Sequence, residues 1–150
     1  MEEQTLILLK PDAIDRRLSG SIIQRYEQKG LKIAAMKMII VTQKMAEKHY
    51  AEHKDKPFFK DLVNFITSGP IVAMVLQGLQ AISVAREING ATDPKEAAPG
   101  SIRGDMAISK QSNLVHASDS SNSAKREIAI FFKKGEILNY KLSHDKWFKE

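Results

Sequence analysis

Thr5-Leu6-Ile7-Leu8-Leu9, closed by Lys10-Pro11-Asp12, is the stretch from which the fold is read. A strand with one wet face alternates apolar and polar residues, whereas a short unbroken apolar run bounded by a turn signal is the pattern of a strand covered on both faces. Pro11 has no N–H to give to a sheet and ends the run, which leaves Lys10 at the strand's carboxyl end.

Outward from this strand, Ser19 or Ser21 caps a helix in which Ile22, Ile23 and Tyr26 share a face, and Gly30 stops it. Lys32 to Val41, rich in Ile, Met and Val, reads as a second strand. Helical spacing returns from Gln43 to His53, and Asp61 to Ile66 is a further short helix. Ser68-Gly69-Pro70 then breaks the chain before Ile71-Val72-Ala73-Met74-Val75-Leu76, a third strand of the same kind as the first. Leu79 to Asn89 predicts a helix stopped by Gly90, and Ala91 to Ser112 a loop-rich stretch. Asn113 to His116 reads as a short fourth strand, and Ser120 to Phe132 as a helix with Ala124, Ile128 and Phe131 on one face. Trp147 and Phe148 in the tail are expected to pack on the body. This alternation predicts an α+β fold, a ferredoxin-like α/β sandwich with a four-stranded antiparallel sheet and helices packed on it.

Composition narrows the class. A chain of 150 residues, 43% hydrophobic and 27% charged, suits a single domain spanning residues 1–150. Cysteine is absent, which excludes disulfides, thiolate catalysis and Cys-ligated metal. Pro70 to Leu76 is the longest uncharged apolar run, far short of the roughly 20 residues that cross a bilayer. The acidic start Met1-Glu2-Glu3-Gln4 is unlike a signal peptide, so the expected location is the cytoplasm. A net charge of +5 favours anionic partners such as nucleotides or nucleic acid.

Neither a Gly-x-x-x-x-Gly-Lys-Ser/Thr loop nor a Gly-x-Gly-x-x-Gly cover occurs, so side chains would have to hold any phosphates. Arg86, Thr92 and Arg103 are candidates, because a guanidinium fork matches phosphate oxygens and stays charged. Taken singly, each arginine reads equally as a surface or ion-pair residue. The informative segment is Asn113-Leu114-Val115-His116-Ala117-Ser118-Asp119, which sets an amide, an imidazole, a hydroxyl and a carboxylate at a strand-to-helix junction. A neutral imidazole is a ready nucleophile near pH 7 when its second nitrogen keeps a proton. Glu127 on the following helix, with Ser118, is the group expected to fix that tautomer. The segment alone also fits a buried histidine at a helix start capped by Ser118 or Asp119.

Asn113 to Asp119 is similar to the signature Asn-x-x-His-Gly/Ala-Ser-Asp of the nucleoside diphosphate kinases. The resemblance extends to Lys10-Pro11-Asp12, His49-Tyr50 with Lys56-Pro57-Phe58-Phe59, Ser68-Gly69-Pro70 to Gly78, Gly90-Ala91-Thr92 with Pro94, and Pro99 to Asp105. It implies a ping-pong transfer of the γ-phosphate of a nucleoside triphosphate to a diphosphate through a phosphohistidine at His116. It further implies that Arg86, Thr92 and Arg103 hold the phosphates with Mg²⁺, that Lys10 and Asn113 bind the sugar hydroxyls, that Tyr50 sits beside the nucleophile and that Glu127 and Ser118 orient it. Phe58 and Leu62 resemble the family's base clamp, and stacking tolerates any base, so broad specificity is expected. The metal is expected on phosphates and water more than on protein. Assembly into a homohexamer, or a tetramer, is implied through the tail and the Ser68 to Gly78 region, with Pro94 near a contact. Lys110-Gln111-Ser112 departs from the family pattern beside the base pocket.

Two other readings compete. His49-Tyr50-Ala51-Glu52-His53 satisfies the His-x-x-Glu-His pattern of inverted zinc peptidases, with both histidines on one helical face. A non-catalytic nucleic-acid-binding regulator would also suit the positive charge, and as a side activity such binding should weaken steeply with salt.

Overall fold

The computed structural model describes residues 2–148. Strands β1 (Glu2–Leu9), β2 (Lys32–Ile39), β3 (Ile71–Leu79) and β4 (Val115–Ala117) form one antiparallel sheet in the order β2-β3-β1-β4, the arrangement expected of a ferredoxin-like sandwich. β1 lies between β3 and β4, and Thr5 to Leu9 are fully buried, as the unbroken apolar run requires. The period of two sorts this strand between two cores. Ile7 and Leu9 join Met74, Leu76, Val115 and Ala117 under Ile22 and Tyr26 of α2 (Ser19–Gln28) and Ala85 of α5 (Ala81–Asn89). Leu6 and Leu8 join Ala73 and Val75 under α3 (Gln43–His49), α4 (Phe59–Ile66) and α7 (Ser121–Phe131).

Two short helices were not foreseen. Pro11 opens α1 (Pro11–Asp15) instead of merely ending the strand, since its fixed φ and missing N–H suit a first helical position. Within the expected loop-rich stretch, Ser101 caps α6 (Ile102–Met106) by accepting from the Gly104 N–H at 3.1 Å, and five residues are too few to show a period. The helix expected over Gln43 to His53 stops at His49 and continues as a 3-10 turn over Ala51–His53. β3 runs on to Leu79, and the helix begins only after Gln80, whose φ is 50°. Trp147 is 74% exposed and does not pack on the body; the side chain of Phe148 lies outside the described residues. The Ser68 to Gly78 region, expected at a subunit contact, is mostly the inner strand β3, and Ile71 and Ala73 to Leu76 are fully buried. No helix among the described residues is long and apolar enough to cross a membrane.

Three backbone features shape the segments around the carboxyl end of β1 and the start of β4. Leu114 has φ +73°, a left-handed conformation that costs a non-glycine residue about 1–3 kcal/mol. It persists because its side chain is fully buried, its carbonyl accepts from the Lys10 N–H at 2.9 Å and its N–H donates to Asp12 Oδ2 at 3.0 Å. Gly90 stops α5 with φ +83°, and Gly104 is wedged so closely that a Cβ there would collide with the Ala98 carbonyl. The two glycines bracket the segment 90–104, which carries Thr92 in its loop and Arg103 on α6.

Candidate active site

Alternation along β4 turns Val115 and Ala117 toward the α2 and α5 core and sends His116 to the opposite face, where α3 and α7 pack. On α7, Glu127 and Phe131 lie one turn apart and share the inner face. Glu127, 4% exposed, places Oε1 2.5 Å from His116 Nε2. The Ser118 hydroxyl accepts from the Leu6 N–H at 3.2 Å and donates to the same Glu127 oxygen at 3.1 Å. Ser118 therefore acts on the histidine through Glu127, not directly. A carboxylate at this distance takes the N–H of Nε2, and Nδ1 has no hydrogen-bond partner among the described residues.

His116 and Glu127 line a cavity of about 680 Å³ together with Lys10, Tyr50, Phe58, Leu62, Arg86, Thr92, Arg103 and Asn113. The structure thus brings these ten candidate site residues into one space, and Ser118 reaches it through its hydrogen bond to Glu127. Lys10 Nζ donates to Asn113 Oδ1 at 2.6 Å, and Asn113 Nδ2 donates to the Thr92 carbonyl at 3.1 Å, so strand end, loop and β4 are tied in sequence. Arg103, 9% exposed, spends Nε on the Asn113 carbonyl, Nη1 on that of Gly90 and Nη2 on that of Val115, at 3.2, 2.9 and 2.6 Å. Arg86 Nη1 donates to the Ala117 carbonyl at 3.2 Å. These bonds aim the guanidinium groups without cancelling their charge, because their acceptors are carbonyls and not carboxylates.

Burial, helped by the nearby Arg103 cation and opposed by Asp12, lowers the Lys10 pKa to about 8. Burial first and then the Glu127 charge push Tyr50 up to about 12, so its hydroxyl stays protonated. Asp119 is held below the usual carboxylate range chiefly by a hydrogen bond from Ser123. At the far side of the cavity Phe58 is 46% exposed, and Lys110 and Gln111 line the same space.

The surroundings of His49 were not legible in the sequence. The competing zinc-peptidase pattern pairs His49 with His53, but α3 ends at His49 and the two rings part: His53 lies 5.4 Å from Phe58, while His49 stands edge-on to His116 at 4.6 Å. The peptidase pattern is not assembled. His49 is 5% exposed, and burial, then the His116 charge, depress its pKa well below the ordinary range, so the ring is uncharged. Neither of its nitrogens has a hydrogen-bond partner among the described residues. Arg126, which donates to the Lys48 carbonyl at 3.1 Å and also lines the cavity, was missed as well, since a helical cation next to Glu127 reads as a solvated surface residue.

Fold and site together define a nucleotide-handling enzyme of the α+β sandwich class. The family model described as nucleoside diphosphate kinase matches residues 3–137, and a nucleoside diphosphate kinase of Archaeoglobus fulgidus is 54% identical over 148 residues, 99% of this chain and 98% of its own. The chain belongs to the nucleoside diphosphate kinase family. Among solved structures, a halophilic nucleoside diphosphate kinase from Halobacterium salinarum in complex with CDP matches with a TM-score of 0.97 at 44% identity, covering 100% of both chains. A family member from Babesia bovis matches with a TM-score of 0.95 at 44% identity, over 98% of this chain and 99% of that one.

Proposed function

We propose that this chain is a nucleoside diphosphate kinase that moves the γ-phosphate of a nucleoside triphosphate onto a nucleoside diphosphate through phospho-His116, with little regard for the base. The observation that carries the reading is the commitment of His116 Nε2 to Glu127 at 2.5 Å, which leaves Nδ1 as the ring's nucleophile beside a cavity holding Lys10, Arg86 and Arg103.

The Nδ1 lone pair forms the N–P bond as the bond from the γ-phosphorus to the bridging oxygen breaks, and that electron pair leaves with the diphosphate. The Nε2 proton stays on the ring, where Glu127 offsets the positive charge that develops. A second diphosphate reverses the step. Arg86, Thr92 and Arg103 hold the phosphates, Lys10 and Asn113 the sugar hydroxyls, and Phe58 with Leu62 clamps the base. Tyr50 stands beside the nucleophile, and Ser118 is a positioning residue that acts through Glu127. Phosphoryl transfer needs mainly alignment and charge neutralisation, which these groups supply.

A divalent metal belongs to the family's chemistry, and Mg²⁺ is the ion proposed here. The donors fit an ion carried in by the nucleotide: the phosphate-holding residues are cations and a threonine, leaving the hard ion to phosphate oxygens and water. When bound, it neutralises phosphate charge.

One domain over residues 1–150, a cytoplasmic location and a homohexamer, or failing that a tetramer, complete the proposal. Assembly is supported by the sheet-edge strand β2 and the segment that follows it, which leave Met36, Met38 and Ile40 53%, 62% and 66% exposed. Sedimentation as a 16.8 kDa species would overturn it.

The function is tested with γ-labelled ATP. An acid-labile, base-stable phosphoenzyme should form and discharge onto a different nucleoside diphosphate; label that appears only when both nucleotides are present together would refute the ping-pong scheme.

Lys10 sets a pH limit. Its charge is present below about pH 8 and lost above it, so kcat/KM should fall as pH rises through about 8. Stability should move the other way: the unfolded chain holds this proton more tightly, so the cost of charging Lys10 in the fold disappears between about 8 and 10.5. Lys10→Arg should remove the alkaline limb, and a limb that survives the exchange would assign it to another group.

A further inference from the structure

We propose that His49, His116 and Glu127 form a binding site for a borderline transition cation, of which Zn²⁺ is the prime case, and that its occupation switches the kinase off: the cation takes His116 Nε2, the ring proton moves to Nδ1, and the lone pair that would attack phosphorus is lost. The switching-off rests on the role of His116 proposed above; the binding does not.

One ligand atom from each of the three residues lies within 4.8 Å of the others. They come from three packed elements, the end of α3, the centre of β4 and the inner face of α7, so the set is held by the sheet and not by a loop. His49 supplies the independent sign of a ligand: it is buried, uncharged, turned against His116, and both its nitrogens are unsatisfied. Buried polar atoms nearly always find a partner, and the phosphoryl-transfer reaction gives this ring none. A metal would give it one.

Two imidazoles and a carboxylate with an open fourth position are a donor set that Zn²⁺ accepts, at about 2.0–2.2 Å from each ligand. Tetrahedral ligands then stand about 3.3 Å apart. His116 Nε2 and Glu127 Oε1, now 2.5 Å apart, need to open by less than an ångström, and the two pairs that involve His49 start from at most 4.8 Å. The open position faces the cavity, which provides the way in. Mg²⁺ does not compete, because it prefers oxygen ligands in octahedral array over imidazole nitrogen. The kinase can thus work in Mg²⁺ and still be stopped by a softer cation.

The test uses the full chain without nucleotide, titrated with ZnCl₂ and followed by calorimetry and by the imidazole NMR signals of its four histidines. One Zn²⁺ should bind per chain, shifting the His49 and His116 rings and leaving His53 and His144 in place. Co²⁺ in its stead should give the visible bands of a tetrahedral site. His49→Phe keeps an aromatic ring against His116 and removes the ligand, so Zn²⁺ affinity should fall at least about tenfold, and the Zn²⁺ concentration that halves each protein's own zinc-free activity should rise by the same factor. Should that variant not fold, the wild-type spectrum decides. Zinc that shifts only His53 or His144, or that binds His49→Phe as tightly as wild type, overturns the site. If zinc binds as described but no phosphoenzyme ever forms, the site stands and the inhibitory role falls with the kinase reading.

Discussion

His116→Asn should form no phosphoenzyme and should lose at least roughly 10⁴-fold in kcat, while retaining its nucleotide affinity within about threefold; removal of a nucleophile in other enzymes has effects of this size or larger. Asparagine keeps a polar group of smaller volume near Glu127 and removes the ring nitrogen that would carry the phosphate. In a ping-pong enzyme no bypass is available. Direct transfer would need donor and acceptor nucleotides in line at once, and a cavity of about 680 Å³ has the size of a site for one such ligand. Intact nucleotide binding is the control, because Lys10, Arg86, Thr92 and Arg103 are untouched. A variant that binds nucleotide normally and keeps a tenth of its activity would show that the phosphate never rests on this ring. Glu127→Gln is a milder companion: it preserves a hydrogen-bond partner for Nε2 but not the charge that offsets the developing cation, and a loss of about 10²–10³ in kcat is expected.

The contrast between His116 and His49 shows what a sequence can and cannot say about a site. The position of His116 could be read because it stands on a three-residue strand whose flanking Val115 and Ala117 are core residues, and because Glu127 falls on the inner face of the next helix, whereas the role proposed for it came from the resemblance of Asn113 to Asp119 to the family signature. Those are local periods of two and of three to four, which linear order records. His49 obeys the same helical period, but where α3 ends decides its partner. That end is set by tertiary packing over His116 and Phe131, not by any stop signal between His49 and His53. β1 and β3 were read for a similar reason, since two continuous apolar runs have no other place than the middle of a sheet. α1 and α6 left no such mark, being one turn of helix each. The exposure of Trp147 was also beyond reach, because a tail aromatic carries no sign of which surface, if any, it covers.

Arg103→Lys should be almost as damaging as loss of the nucleophile and should damage two properties at once. The guanidinium is a staple: its three donor atoms bind the carbonyls of Gly90, Asn113 and Val115, so one side chain joins the end of α5 to both sides of the strained Leu114. Lysine retains the charge, but its ammonium on a single flexible stem lacks the planar fork that reaches three acceptors. At least one carbonyl is then left without a donor, at about 1–3 kcal/mol each when buried, and the left-handed Leu114 loses part of what over-determines it. The expected fall in stability is about 3 kcal/mol, read from denaturant midpoints at constant m-value. Activity should fall further than the folded fraction explains. Thr92 is tied to Asn113, and Asn113 to Lys10, so loosening the carbonyl side of Asn113 misplaces together the three groups proposed to hold phosphate and sugar. A displacement of about 1 Å in such a set is enough for a loss of about 10²-fold, beyond that of the missing phosphate contact itself. Arg86, with a single carbonyl bond from α5 to β4, provides the comparison: Arg86→Lys should lower kcat/KM but move the denaturant midpoint far less than Arg103→Lys does. Equal stability losses in the two variants would mean that Arg103 binds phosphate without holding the loop.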